Sequence, residues 1–304
     1  MKVTEIIEDK FWLVLLLALI FGLITPSFGK SLNFLLIPIL MIISFLTYLK
    51  VESLDIAAYI KKPIFILYIL LANLLLIPIV TYWLFHILTP SLAIGFLLLA
   101  ATPSAVASPM LTDIMKGNVP LSIVICIFAN LVAPFTMVLL LHIFTSKVFQ
   151  INLLGVFQTL LLLSIVPFTT AQVIRKIKID FINKTKRAYS SINIITTGLV
   201  AYIVVANASK GVLSNPSLAF IDLFWLYVFF IILQIIGLFI TFWRKKEDRI
   251  AIAISKAYMN NALSAALALT FFNPTIAFLM VLSEIPWNTT LGIFKYILKF
   301  LKSR

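Results

Sequence analysis

Long apolar runs follow one another along the chain, separated by short polar breaks. The runs fall at 11–28, 31–49, 63–87, 91–116, 119–145, 151–174, 188–208, 219–242, 249–271 and 274–299. A helix needs roughly 20 mainly apolar residues to cross the hydrocarbon core of a bilayer. The pattern therefore predicts ten membrane-spanning helices. Strands are excluded, because in lipid only helices and closed barrels satisfy the backbone. Barrel strands would appear as short alternating segments, not as runs of this length.

Composition agrees. Of 304 residues, 62% are hydrophobic and 12% charged. A soluble domain is nearer about half apolar and one quarter charged. The N-terminal stretch with Lys2, Glu5, Glu8, Asp9 and Lys10 has no small-x-small cleavage site, so no removed signal peptide is expected. The single Cys126 rules out an internal disulfide and a cysteine zinc site. His86 and His142 lie near predicted span ends, outside any HExxH pattern.

The net charge of +13 would suggest nucleic acid in a soluble protein. Here it follows from topology. Ten spans put both termini on one side. That side would hold Lys2, Lys10, Lys50, Lys61, Lys62, Lys116, the cluster Arg175 to Arg187, Arg244, Lys245, Lys246, Arg249 and the basic residues from Lys295 to Arg304. The other side would hold Lys30, Lys147 and Lys210. Twenty against three places both termini in the cytoplasm of a cell (plasma or inner) membrane. No nucleic-acid partner is expected. The chain divides near 146–150 into two five-span halves, 1–147 and 148–304. An odd number of spans per half gives the halves opposite orientation, the layout of an inverted repeat. The charged stretch 175–187 reads as a cytoplasmic linker within the second half.

Two spans in matching positions stand out. The fourth carries Thr102, Pro103, Ser104, Ser108 and Pro109 in its middle; the ninth carries Ser255, Lys256, Asn260, Asn261 and Ser264. Proline removes a donor and clashes with the preceding turn, so the fourth span should be broken. Each run ends in Asn-x-Pro or Asn-Pro, at Asn118 to Pro120 and at Asn273-Pro274. Free backbone groups at membrane depth persist only inside protein or along a wet cavity. A matched pair of interrupted spans points to a substrate site. Close packing of small residues is the plainer explanation for either span alone.

The stretch Ala101 to Pro134, with Ala-Ser-Pro-Met-Leu-Thr, Met-Lys-Gly-Asn-Val, Pro-Leu-Ser and Leu-Val-Ala-Pro, resembles the fourth and fifth spans of the bile acid:sodium symporter family. Tyr258-Met-Asn-Asn-Ala-Leu-Ser-Ala-Ala resembles its ninth-span signature. The resemblance implies an all-α membrane protein of ten helices. Spans one, two, six and seven would form a panel domain and spans three to five and eight to ten a core, with spans four and nine unwound and crossing. It implies transport of organic anions (bile-acid-like compounds or small carboxylates) by alternating access, driven by sodium in many members.

The sodium ligands that the resemblance implies can be followed one by one. A Ser-Asn pair at the fourth-span break is matched by Ser108-Pro109, which loses the amide. Two fifth-span hydroxyls are matched by Ser122 and Cys126, which turns one oxygen into sulfur. Glutamines of spans three and nine are matched by Asn73 and Asn260. The glutamate shared by both sites is matched by Lys256. Sodium prefers hard oxygen ligands. Two like charges at ~4 Å and an effective dielectric of ~20 repel by about 4 kcal/mol. Both sites should be lost, and transport should not be sodium-coupled.

A charge at mid-membrane marks function by default. Lys256 could be a built-in surrogate for the cation, a proton-coupling amine, a substrate contact, or a salt bridge with Glu284 or Asp113; snorkelling is the weaker alternative, because Lys256 lies about seven residues into its span. Glu284, beside Pro286, either pairs with Lys256 or carries a proton. Asp113 reads as solvated or capping. Interhelical hydrogen bonds explain Asn130, Thr169, Thr170 and Gln172 at least as well as substrate contacts do. The phenylalanines read as lipid-facing and packing surface. A membrane-embedded enzyme would need a nucleophile with a base, paired aspartates or a metal cluster, and the chain has no GxSxG or HExxH. An auxin-efflux-type permease would share the crossed-helix layout and the anionic substrate class.

Overall fold

The computed structural model describes residues 11–49, 63–145, 151–214 and 216–300, and these are helical, with no strand among them. In chain order the helices are α1 Phe11–Ile24, α2 Pro26–Ser31, α3 Leu36–Tyr48, α4 Pro63–Leu71, α5 Ile77–Leu88, α6 Ala93–Ala101, α7 Ser108–Ile114, α8 Val119–Thr145, α9 Leu153–Ile177, α10 Ile179–Ser214, α11 Pro216–Phe239, α12 Lys246–Ala257, α13 Asn261–Phe271, α14 Pro274–Leu282 and α15 Glu284–Phe300. Six stretches are long and apolar enough to cross a membrane: Pro63–Leu88, Val119–Thr145, Leu153–Ile177, Ala188–Asn207, Ser217–Phe239 and Thr275–Lys299. Shorter apolar helices occupy Asn33–Tyr48, Pro90–Ala101 and Asn261–Phe271. Large apolar side chains such as Ile64, Phe34, Ile87 and Phe220 lie exposed on the outside. That surface suits lipid, not water.

Several predicted runs are more finely divided than the pattern implied. The first is interrupted at Thr25, where Pro26 opens α2. The third carries a widened turn over Ala72–Leu76. The tenth is interrupted at Ser283, and Pro286 then falls in the first turn of α15, where its missing donor costs nothing. The stretch 175–187, expected as a linker, is almost wholly helical, because α9 runs to Ile177 and α10 begins at Ile179. Lysine and arginine are good helix formers, so charge density alone does not make a loop. The repeat boundary at 146–150, both termini, and Lys2, Lys10, Lys50, Lys61, Lys62 and Lys147 lie outside the described residues.

The Asn-Pro punctuation acts as helix capping. Asn118 Oδ1 accepts from Leu121 N at 3.1 Å, Asn273 Oδ1 from Ile276 N at 3.0 Å, and Asn152 Oδ1 from Gly155 N at 2.9 Å. Each bond satisfies one of the orphan amides of a first turn. Asn273→Ala should cost about 1 kcal/mol. A lowered melting temperature in detergent, largely recovered by Asn273→Ser, would report it.

Two compact units take the described residues within Met1–Val51, Ile151–Ser214 and Ala265–Val281, and within Glu52–Gln150, Asn215–Ser264 and Leu282–Arg304. In the first unit α10 packs along α1 and α9 along α3. A Cβ on Gly22 would stand 2.8 Å from Val205, and one on Gly198 would stand 2.6 Å from Val14. Small residues thus let helices approach in lipid. Polar seams fasten the same unit: Asn33 and Asn207 exchange amide bonds at 3.2 and 2.7 Å, and Arg175 Nη1 donates to Leu49 O at 2.7 Å. In the second unit the buried Asp248 carboxylate accepts from Arg244 at 2.6 and 2.9 Å and from Asn118 Nδ2 at 2.7 Å. That knot ties the start of α12 to the start of α8.

Candidate functional site

In the second unit, α6 stops at Ala101 and α7 begins at Ser108; α12 stops at Ala257 and α13 begins at Asn261. The two non-helical segments are bonded to each other as an antiparallel bridge between Ser104 and Met259. Ala105 N donates to Tyr258 O at 2.8 Å, and Asn260 N donates to Pro103 O at 2.9 Å. Each interruption thus supplies partners for amides and carbonyls freed in the other. Unpaired, such groups would be costly in a dry interior.

Side chains complete the crossing. Ser104 Oγ donates to Ser255 O at 2.5 Å, and Ser108 Oγ donates to Tyr258 O at 3.2 Å. Thr102 Oγ1 turns back onto Leu98 O at 2.7 Å, finishing α6, while Pro109 occupies the first turn of α7. Ser122 bonds Ser255 Oγ at 3.2 Å and accepts from Thr112 Oγ1 at 3.0 Å. Cys126 Sγ lies 3.5 Å from Ala105 O and 3.8 Å from Ser104 O. Asn130 Nδ2 donates to Ser104 O at 2.9 Å. The interhelical hydrogen bond expected of Asn130 is thus made to the bridge itself.

Lys256 sits in the last turn of α12 and is 3% exposed. Its Nζ donates to Asn73 O at 2.7 Å and to Ala100 O at 2.5 Å. Both acceptors are freed by helix irregularity. In the widened turn Ile77 N bonds Ala72 O, so it does not bond Asn73 O. The next residue is Pro78, which has no N–H to offer. Ala100 lies in the last turn of α6, where carbonyls lack helical partners. The ammonium therefore stands at the C-terminal end of α6, whose dipole favours positive charge, and against a carbonyl that the widened turn leaves free of helical bonding. Among the described residues Lys256 forms no ion pair with Glu284 or Asp113. Asp113 is exposed. The salt-bridge reading gives way to carbonyl coordination, which no side-chain pattern could reveal.

The residues matched to sodium ligands do not fit that ion. The Ser108 and Ser122 hydroxyls are engaged in the crossing. Asn260 Oδ1 caps α13 by accepting from Leu263 N at 3.2 Å. One ligand position is sulfur and another is an ammonium. Asn73 keeps a free amide: both its Nδ2 and its Oδ1 are buried without a partner. Asn261 Nδ2 donates to Ser283 Oγ at 3.0 Å. This brings the break before α13 to the break before α15, the residue next to Glu284. Trp287, which the sequence reading passed over, reinforces that junction by donating Nε1 to Met259 O at 3.0 Å.

Comparison with known proteins agrees with this construction. The chain is 23% identical over 284 residues to the uncharacterized sodium-dependent transporter YocS of Bacillus subtilis (strain 168), covering 91% of this chain and 86% of that protein. Residues 9–287 match the profile of the SBF-like CPA transporter family. The resemblance read from residues 101–134 and 258–266 is thereby borne out, and the chain belongs to the SBF-like CPA transporter family.

Proposed function

We propose that this protein is a secondary transporter of small organic anions, bile-acid-like or carboxylate compounds, that works by alternating access without sodium at the crossing. The reading takes the chain as ten spans in two inverted five-span halves, both termini cytoplasmic, in the cell membrane. Spans four and nine are the interrupted pair. Spans one, two, six and seven form the panel against which the remaining six move. The mutual bonding of 102–107 with 258–260 carries the reading, because two interruptions at matching depth are the mark of a carrier's binding region. The orphaned amide of Asn73 and the buried ammonium of Lys256 add polar groups that a passive scaffold would have no reason to bury.

Sodium is the point at which this chain parts from its relative. The Bacillus subtilis protein is described as sodium-dependent. On the family pattern read from the sequence, Lys256 stands where a shared carboxylate is expected, and its ammonium is stabilised by two carbonyl dipoles. It does the work of a resident cation, holding α12, α6 and the widened turn together in every state of the cycle.

The test is ligand-induced thermal stabilisation of purified protein against a panel of organic anions, in sodium chloride and in choline chloride. A ligand of the folded state raises apparent stability by mass action. At least one carboxylate should stabilise equally in both salts. Stabilisation confined to sodium would sink the sodium-free reading. No response to any anion, together with no anion uptake in proteoliposomes, would sink the transporter assignment to that substrate class.

A further inference from the structure

We infer that Glu284 is the coupling-cation site of this chain, binding one monovalent cation with the amide oxygens of Asn261 and Asn288. The inference deepens the transport reading and rests on it only for the word coupling; the site itself stands on the geometry around the start of α15.

Glu284 opens α15 just after the interruption at Ser283. Asn288 lies one turn later on the same face, and its Nδ2 donates to Glu284 O at 2.7 Å. Asn261, 4% exposed, donates its Nδ2 to Ser283 Oγ at 3.0 Å. Each amide nitrogen of this group already meets an acceptor. What remains are acceptors: Asn261 Oδ1 and Asn288 Oδ1 are buried without a partner. The Trp287 indole N–H is spent on Met259 O. Among the described residues no donor bonds the Glu284 carboxylate and no cation stands within 4 Å of it.

An ionised carboxylate beside buried orphan acceptors is a costly arrangement. Adding another acceptor-rich group cannot relieve it. One positive charge can: it neutralises the carboxylate and gives the amide oxygens a partner. Oxygen-only coordination with a single negative charge suits an alkali cation such as sodium. A proton on the carboxyl supplies the same charge and turns one acceptor into a donor. The shared chemistry is a monovalent cation delivered to oxygen acceptors. Lys256 cannot serve, since its ammonium is committed to Asn73 O and Ala100 O.

Other titratable groups near this junction are few. On α11, which packs against α15, they are Asp222 and Tyr227, and the Tyr227 hydroxyl bonds Thr289 Oγ1 at 2.7 Å. Beyond the end of α12, Tyr258 bonds Thr290 Oγ1 at 3.3 Å and accepts from Gln234 Nε2 at 3.2 Å. On α15 itself Lys295, Tyr296 and Lys299 lie further along the helix, and α13 and α14 carry none.

The experiment needs no substrate. Thermal stability of the purified full-length protein is followed across pH in choline chloride, then across sodium at fixed pH and ionic strength, for wild type, Glu284→Gln and Glu284→Asp. Above its dissociation constant, each tenfold rise in the bound cation should raise the wild-type folding constant about tenfold. Glu284→Gln, which carries its own amide donor and no charge, should lose that response; Glu284→Asp should keep it with weaker affinity. Response to protons alone supports the site and leaves the sodium-free reading intact. Response to sodium supports the site and overturns the sodium-free reading. If Glu284→Gln responds like wild type, or wild type responds to neither cation, the inference is overturned. Should Glu284→Gln not fold, infrared difference spectra of the wild type decide instead. A carboxyl or carboxylate band that shifts with pH or sodium supports the site, and bands unmoved by either overturn it.

Discussion

Lys256→Met is expected to lower stability by about 3 kcal/mol, more than most single changes in this chain. Methionine matches lysine closely in length, so the change leaves little cavity. What it removes is the donor. Asn73 O and Ala100 O cannot be deleted with it, because they belong to the backbone. Leaving a buried acceptor unsatisfied costs about 1–3 kcal/mol, and two are left. The return of the lysine's own desolvation cost offsets part of this. Lys256→Glu should be worse in the absence of sodium, since it sets a negative charge against two carbonyl oxygens, one of them at the C-terminal end of α6, where the dipole opposes it. Added sodium should then stabilise Lys256→Glu more than it stabilises Lys256→Met. Melting curves of the three proteins in sodium and in choline read all of this. If Lys256→Met melts with the wild type, the ammonium is no structural cation and its burial needs another reason.

How far the sequence reached depends on what kind of group carries each feature. Uniform apolar runs gave 119–145 as Val119–Thr145 and 63–87 as Pro63–Leu88 almost to the residue, because hydrophobicity sets both ends of a span. The break after Ala101 was visible in Pro103 and Pro109. The break after Ala257 has no proline, and only the polar residues around it marked it. The interruption at Ser283 was missed although Pro286 stood beside it; proline tolerated in a first turn points upstream to the break and not to itself. The lysine was found and its partners were not. Carbonyl oxygens are present at every residue, so sequence cannot tell which are free. One signal did exist: Pro78, five residues after Asn73, denies that carbonyl the donor a widened turn would otherwise offer. Asn260, matched to a family glutamine, is a cap for the same reason that Asn118 and Asn273 are: it precedes a helix by one residue.

Gly237→Val should cost about 3 kcal/mol and Gly237→Ala about 2 kcal/mol, the sum of an overpacked interface and a displaced lysine. A Cβ built on Gly237 would stand 2.5 Å from Ala253 Cα and 3.1 Å from both Ala253 N and Cβ. Non-bonded carbons settle at about 3.5–4.0 Å. Since two of these atoms are backbone, no rotamer change relieves the contact; α11 and α12 must separate by roughly 1 Å. Ala253 lies one turn before Lys256 on α12. Moving that helix draws Nζ away from carbonyls it now meets at 2.5 and 2.7 Å. Bonds of this kind are lost by about 3.6 Å. Part of the cost therefore duplicates the loss of the ammonium. The double variant Gly237→Ala with Lys256→Met should be less destabilised than the two single effects added, by at least about 0.5 kcal/mol. Full additivity in melting or denaturant experiments would mean that the close approach at Gly237 seats α12 without seating the lysine. A shortfall would make the glycine a positioning residue for the crossing.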